Sequence, residues 1–409
     1  MSKKKEGQPE INIGLFGHVD HGKTTLLQRL SGKWADTHSE EIKRGITIRL
    51  GYAYIEIRKC PKCSTYTVKE ECPECNEKAE PVRKISFVDA PGHESLMATM
   101  LAGSAIIDAA LLLVAANEDC PQPQTREHLM ALEILGIKDI IIIQNKIDLV
   151  DEKTSLKNYN EIRSLLKDTA YADAPIIPVS AQFGVNIDLL LEEIEGRFRT
   201  PKREAGKDPL FLVARSFDVN KPGTEIAKLQ GGVVGGTVIR GKLKIGDEIE
   251  IRPGRLVEEK NQKVWKPILS KIVEIQSGGV SLKEVVPGGS AALQTSLDPF
   301  LVKSDSLVGG IVGHVKKLPP VWEELHLAPK LLKRVVGAKE DLAVEELKMN
   351  EVLMLNVNSA ATVGTITKVG KDIVEAVLKL PVCAEKGSRV AISRRIGNRF
   401  RLIGYGVIQ

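Results

Sequence analysis

Eight residues near the start of the chain, Gly17-His-Val-Asp-His-Gly22-Lys23-Thr24, have the types and spacing to hold a row of phosphates. Glycines let the backbone curl until consecutive N–H groups point inward at an anion, and a following helix adds its positive N-terminal end. Lys23 is expected to reach the outer phosphates, and the Thr24 hydroxyl to bind a magnesium ion that bridges them. Asp20 lies close enough in sequence to help hold that cation. The stretch Asp20, His21, Gly22, Lys23, Thr24 and Thr25 is therefore the expected phosphate contact, with His18 and His21 shaping the loop itself.

A second group of residues is suited to reading a base. Asn145-Lys-Ile-Asp148 follows the apolar run Ile140–Ile143, which places a carboxylate at the carboxyl end of a strand. Taken as a buried acceptor, Asp148 can receive hydrogen bonds from N1–H and the exocyclic amine of guanine. Adenine offers no such donor pair, and leaving the acceptor unpaired would cost about 1–3 kcal/mol. Asn145 is expected on the purine edge and the Lys146 stem over the base. Ser180-Ala181, after Ile176–Val179, would complete the pocket through a backbone N–H. The ligand so described is GTP or GDP.

Between these lie two further loops. Asp89-Ala-Pro-Gly92 follows Ile85–Val88: Asp89 is expected to hold magnesium through water, and the Gly92 N–H to sense the γ-phosphate. Arg44-Gly45-Ile46-Thr47 supplies a hydroxyl, that of Thr47, to close the magnesium shell when the triphosphate is present, with Gly45 beside it. These loops are the expected switches.

Four of the six cysteines crowd into Cys60-Pro-Lys-Cys63 and Cys72-Pro-Glu-Cys75. Two such pairs, joined by the short hairpin Ser64–Glu71, can converge four thiolates on one tetrahedral Zn²⁺. With every position filled by protein the site would be structural; a redox dithiol is the alternative. Cys120 and Cys383 stand alone and are expected as small buried hydrophobes.

The elements that must position these groups are visible as alternating patterns. Ile11–Phe16 reads as a strand, Lys23–Leu30 as a helix, and Ile85–Val88, Ala110–Ala115 and Ile140–Ile143 as buried parallel strands. That is a P-loop α/β domain, doubly wound around a mostly parallel sheet, over residues 1–205 with a metal insert at about 58–78. From Leu210 onward short alternating strands such as Lys242–Ile251 are punctuated by Gly, Pro and Asp, which predicts two all-β barrels, 206–325 and 326–409. At 409 residues and a net charge of +5, the chain is long enough for several cores and only mildly basic. No apolar run approaches the ~18 residues that span a bilayer, and no apolar segment follows the first lysines. A cytoplasmic protein without a membrane partner is expected.

The motifs at 17–25, 44–47, 89–94 (Asp-Ala-Pro-Gly-His-Glu) and 123–128 (Pro-Gln-Thr-Arg-Glu-His) resemble those of the translational GTPases. The resemblance implies that His93 is the catalytic residue that positions the attacking water, behind an apolar gate of Val19 and Ile46. The cysteine pairs, Lys43–Tyr52, Arg215–Thr224 and Arg334–Lys339 are similar to the gamma subunits of archaeal and eukaryotic-type initiation factor two. That likeness implies a carrier of initiator methionyl-tRNA to the small ribosomal subunit, working with alpha and beta subunits. Tyr52 would be a candidate contact for the aminoacyl end, and the basic run Lys386, Arg389, Arg394, Arg395, Arg399 and Arg401 a candidate RNA face. An elongation-type or selenocysteinyl-tRNA carrier shares every GTP motif, and a G-protein activator of a metabolic enzyme stays open beside it.

Replacing Asp148 by Asn exchanges an acceptor for a group that can donate. Asp148→Asn should weaken GTP and shift preference toward xanthine nucleotides, whose C2 carries an oxygen. Equal GTP affinity in parent and variant would refute the pocket assignment.

Overall fold

The computed structural model describes residues 7–32, 51–89, 101, 105–335, 342–397 and 399–409. The chain divides into two compact units, one built on Pro9–Pro201 and the other on Lys202–Arg334 with Ala343–Gln409.

In the first unit, β1 (Asn12–Gly17), β2 (Gly51–Lys59), β3 (Tyr66–Thr67), β4 (Glu80–Asp89), β5 (Ala109–Ala115), β6 (Asp139–Asn145) and β7 (Ile176–Pro178) form one sheet. Its order is β3-β2-β4-β1-β5-β6-β7. β4, β1, β5, β6 and β7 run parallel, while β2 and β3 are antiparallel at one edge. Every residue of β5 is buried, as its unbroken apolar run requires of a strand covered on both faces. Helices α1 (Lys23–Ser31), α2 (Pro123–Leu135), α3 (Glu152–Leu166) and α4 (Ile187–Arg197) supply the cover. Leu26, Leu27 and Leu30 of α1 and Leu190, Leu191 and Ile194 of α4 share a core with Ile13, Leu15, Leu111 and Leu113. Side chains alternate across a strand, so Phe16 faces the other side, where its ring meets His128 of α2 edge-on at 5.9 Å. Because five strands are parallel, the carboxyl ends of β1, β4, β6 and β7 share one rim, where an α/β sheet places its ligand.

Arg83 of β4 ties the sheet to the end of α4. It donates to the carbonyls of Phe198 at 2.7 Å and Ile194 at 3.3 Å and pairs with Glu195 at 2.9 Å. The Phe198 carbonyl, just past the last turn, gains its partner there, and Ile194 O, which already accepts the Phe198 N–H, gains a second donor.

The second unit is all β. Its first barrel contains β8 (Leu210–Phe217), β9 (Val233–Arg240), β10 (Leu243–Lys244), β11 (Glu248–Glu259), β12 (Gln262–Ser277), β13 (Val280–Leu282), β14 (Glu284–Val285), β15 (Ala291–Thr295) and β16 (Ile311–His314). The order β11-β16-β8-β9-β15-β12 closes on itself through the β11–β12 pairing. The single strand expected over Lys242–Ile251 is broken: Gly246 turns at φ 93° and Asp247 accepts from the Lys244 N–H at 2.8 Å, so β11 starts afresh at Glu248. The second barrel is closed by β17 (Val321–Leu331), β18 (Val352–Val357), β19 (Ala360–Val369), β20 (Val374–Cys383), β21 (Arg389–Ile396) and β22 (Arg399–Ile408). Residue 325, the expected boundary, falls inside β17. The junction is Pro319-Pro320, where the absence of backbone donors ends pairing before Val321.

Arg252 holds that junction, donating to the Pro319 carbonyl at 3.0 Å and to Glu250 at 2.6 Å. Of the C-terminal basic run, Arg394 is held by Glu351 and by the carbonyls of Glu345 and Glu346. That removes it from the expected RNA face. Among the described residues no helix is long and apolar enough to cross a membrane.

Candidate functional site

The phosphate loop leaves β1 through Gly17, at φ 141°, passes Asp20 at φ 62° and enters α1 through Gly22 at φ 87°. A β-carbon on Gly17 would stand 2.5 Å from the Leu113 carbonyl oxygen, and one on Gly22 only 2.3 Å from Asn145 Nδ2. Both glycines are therefore required by space as well as by φ. The Lys23 ammonium is buried and donates to the carbonyls of Gly17 at 3.0 Å and His18 at 2.8 Å. Thr24 Oγ1 lies 3.1 Å from Asp89 Oδ2. The hydroxyl and carboxylate expected to share one magnesium ion thus converge, and such an oxygen pair suits a hard cation.

At the base end, Asn145 bridges two loops. Its Nδ2 donates to the His21 carbonyl at 2.9 Å, and its Oδ1 accepts the Ala181 N–H at 3.0 Å. The purine-edge contact expected of Asn145 is left to the second Nδ2 hydrogen, and both backbone N–H groups of Ser180-Ala181, one of which was expected on the base, are engaged, by Val185 O at 3.3 Å and by Asn145. Lys146, at φ 64°, starts the short turn Ile147–Leu149 that carries Asp148. Asp148 is exposed there, not buried. Its turn projects beyond the end of β6, so a bound base would itself supply the cover that makes the acceptor selective. Ser180 is buried, and its hydroxyl accepts from Phe183 N–H at 3.3 Å.

The cysteine cluster interrupts the antiparallel pair β2–β4 as a hairpin insert. Each knuckle makes the same turn. The N–H of Ser64 donates to Cys60 O and that of Cys60 to Thr65 O; Asn76 and Cys72 repeat this with Cys72 O and Glu77 O. Ser64 and Asn76 hold φ of 63° and 57° at matching positions. All four Sγ atoms lie within 4.8 Å of one another, and the Cys60–Cys75 and Cys63–Cys72 separations are 3.5 and 3.4 Å. Four ligands at a Zn–S distance of about 2.3 Å in a tetrahedron stand about 3.8 Å apart, so the cluster fits one such ion. Hydrogen bonding with Thr65, first through its side chain and then through its backbone, holds the Cys63 thiol down at about 6, whereas burial and the neighbouring thiols push Cys75 up to about 12. Burial likewise pushes Cys120 and Cys383 up to about 12, as unreactive thiols.

Comparison with known proteins distinguishes among the GTP-binding possibilities. The Elongation factor Tu GTP binding domain family matches residues 8–200, and the family Initiation factor eIF2 gamma, C terminal, matches residues 323–408. Translation initiation factor 2 subunit gamma of Methanocaldococcus jannaschii is 57% identical over 410 residues, all of both chains. The protein of the same name from Pyrococcus horikoshii is 56% identical over 407 residues, covering 100% of this chain and 99% of that one. The chain belongs to the translation initiation factor 2 gamma-subunit family. It is a GTP-binding GTPase of translation initiation. In three dimensions it is also similar to a bacterial selenocysteine-specific elongation factor, EF-Sec, with a TM-score of 0.74 and 26% identity. That match covers 98% of this chain and 58% of the other.

For this gamma-subunit family member the structure unites Lys23, Thr24 and Asp89 on one side of the rim and Asn145, Lys146, Asp148, Ser180 and Ala181 on the other. Gly45, Ile46, Thr47, Gly92 and His93 lie outside the described residues. Tyr52 is half-buried on β2, opposite Val88.

Two histidines brace the phosphate loop: His21, expected as a phosphate contact and loop-shaping residue, and His128, to which the sequence assigned no role. His21 is fully buried, its Nδ1 donating to Leu113 O at 3.0 Å and its Nε2 3.3 Å from Glu118 Oε2. His128, at the end of the 123–128 motif, accepts the Gly17 N–H on Nδ1 at 3.0 Å. The motif was the signal; the role required the fold. Burial, then the Lys23 charge, pushes His128 down to about 3, so it stays neutral and keeps that lone pair.

An unfolded histidine titrates near 6.5, so between pH 6.5 and about 3 the unfolded chain binds a proton the folded chain refuses. This contribution is complete above pH 6.5 and is lost as pH falls. His128→Asn can still accept from Gly17 but does not titrate. Its urea-unfolding stability should fall less between pH 6.5 and 5, by up to about 2 kcal/mol. Parallel declines in parent and variant would show that His128 does not set this dependence.

Proposed function

We propose that the chain carries initiator methionyl-tRNA to the small ribosomal subunit in its GTP-bound state, in the cytoplasm, as one subunit of a heterotrimer with alpha and beta subunits. The observation that carries this reading is the full-length 57% identity to a translation initiation factor 2 gamma subunit. It is supported by the paired cysteine knuckles inside the GTPase domain. The selenocysteine-specific factor, at 26% identity and with 58% of its length matched, is a more distant guide to cargo.

The residues divide the work. The loop N–H groups and Lys23 hold phosphate, while Thr24, Asp89 and Thr47, with Asp20 and Gly45 nearby, bring oxygen ligands to a magnesium ion. That ion supplies charge neutralisation at the β- and γ-phosphates. Gly92 senses the γ-phosphate, and His93 positions water once the Val19–Ile46 gate opens. Hydrolysis of this kind depends on placement and electrostatics, so withholding one positioning group keeps the basal rate low. Cys60, Cys63, Cys72 and Cys75 hold a structural zinc that fixes the insert.

Filter binding with initiator and elongator methionyl-tRNA, in GTP and in GDP and with the partner subunits added, tests the cargo. Tight binding of the initiator form in GTP alone is expected. Equal binding of both tRNAs, or preference for selenocysteinyl-tRNA, would refute it. Elemental analysis of protein purified without added metal should find one zinc per chain. Cys63→Ser should lose that zinc while GDP binding survives, and stoichiometric iron in the parent would refute the zinc assignment.

A further inference from the structure

Helix α1 begins at the phosphate loop and ends beside the base loop. In its last turn Arg29 donates from Nε to the Ala181 carbonyl at 3.0 Å, and a second guanidinium nitrogen donates to the Gln182 carbonyl. The stem lies along Gly184, whose β-carbon would stand 3.8 Å from Arg29 Cδ. From the other direction Asn145 Oδ1 takes the Ala181 N–H. Both polar groups of Ala181 are therefore fixed, one by the strand that leads to Asp148 and one by the helix that leads from the phosphates.

A trans peptide is planar, so the carbonyl of Ala181 and the N–H of Gln182 point in opposite directions. Holding that carbonyl toward α1 turns the Gln182 N–H away from α1, and this N–H makes no hydrogen bond among the described residues. We propose that Arg29 is a positioning residue for base recognition, clamping the carbonyls of Ala181 and Gln182 so that the Gln182 N–H is aimed at the O6 oxygen of guanine. The proposal rests on the reading of residues 180–182 as the base loop. It divides the base by chemistry: Asp148, an acceptor, reads N1–H and the C2 amine, while the loop, a donor, reads O6. One neutral hydrogen bond discriminates by roughly threefold to tenfold.

The test compares full-length parent and Arg29→Met, which keeps the stem and removes the donors, for binding of GDP, inosine diphosphate and 6-thio-GDP. Inosine lacks the C2 amine, and the thio analogue replaces O6 by a poor acceptor. The parent should bind both analogues more weakly than GDP. Arg29→Met should bind GDP roughly threefold to tenfold more weakly, lose its preference for GDP over 6-thio-GDP and keep its preference for GDP over inosine diphosphate. Arg29→Lys, with one donor group, should recover part of the thio preference. An unchanged thio preference in Arg29→Met, or equal weakening toward all the nucleotides, would overturn the role of Arg29 alone. No inosine penalty in the parent would overturn the base-pocket reading and the Arg29 proposal with it.

Discussion

The amide of Asn145 occupies the space that a β-carbon on Gly22 would need, 2.3 Å from where that atom would stand. This one close approach makes the nucleotide site a single object. The amide reaches the phosphate loop through His21 O and the base loop through Ala181 N–H, and neither bond could form if the loop stood further from β6. Glycine at 22 is thus fixed by two demands. The backbone must be left-handed to start α1, and it must leave room for a strut from another strand. Arg29 closes the circuit from the far end of α1, so phosphate and base contacts are held by one continuous set of bonds.

Within that frame the charge is arranged with economy. Lys23 is a buried cation, and a buried cation requires partners. The carbonyls of Gly17 and His18 provide them while leaving the net positive charge in place for phosphate. Three imidazoles lie around it, and burial, the largest cause at each, lowers all of them. A protonated ring here would repel Lys23, and at His128 it would also lose the lone pair that holds the Gly17 N–H. Neutral histidines can therefore shape the loop without competing with its one working cation.

The groups proposed to touch ligand were legible in sequence because their chemistry forces local spacing. A phosphate loop needs glycines and a lysine within eight residues, and a base-reading carboxylate must follow a strand. The groups that hold those residues in place were not, because they act across the fold. Asn145 and His21 are 124 positions apart, and Arg29 and Ala181 are 152 apart. No short window contains such a pair. Asp148 shows the complementary error. Its place just beyond a strand is as expected, but burial was inferred from selectivity, and the turn after β6 leaves it exposed. In the β half, alternation located strands well. It could not show that Gly246 and Asp247 break one of them, since a turn inside an alternating run preserves the apolar pattern.

The two barrels follow a different logic from the nucleotide domain. Each closes on itself and leaves no long open edge, so what remains to be specified is the joint between them. Arg252 accomplishes this at Pro319-Pro320, where two prolines offer carbonyls and no donors. Glu250, buried, binds the Arg252 guanidinium with one carboxylate oxygen and the Lys316 N–H with the other. Cys383 Sγ donates to Pro319 O at 3.3 Å and Trp322 Nε1 to Ala384 O at 2.9 Å, fastening the start of β17 to the end of β20. Gly309 then lets the first barrel approach Ala360 of the second so closely that a β-carbon would stand 2.7 Å from its Cα. A joint made of buried charge, satisfied carbonyls and a contact only glycine permits has no soft coordinate. The two barrels are thereby fastened to each other by their own strand ends, with no linker between them to specify.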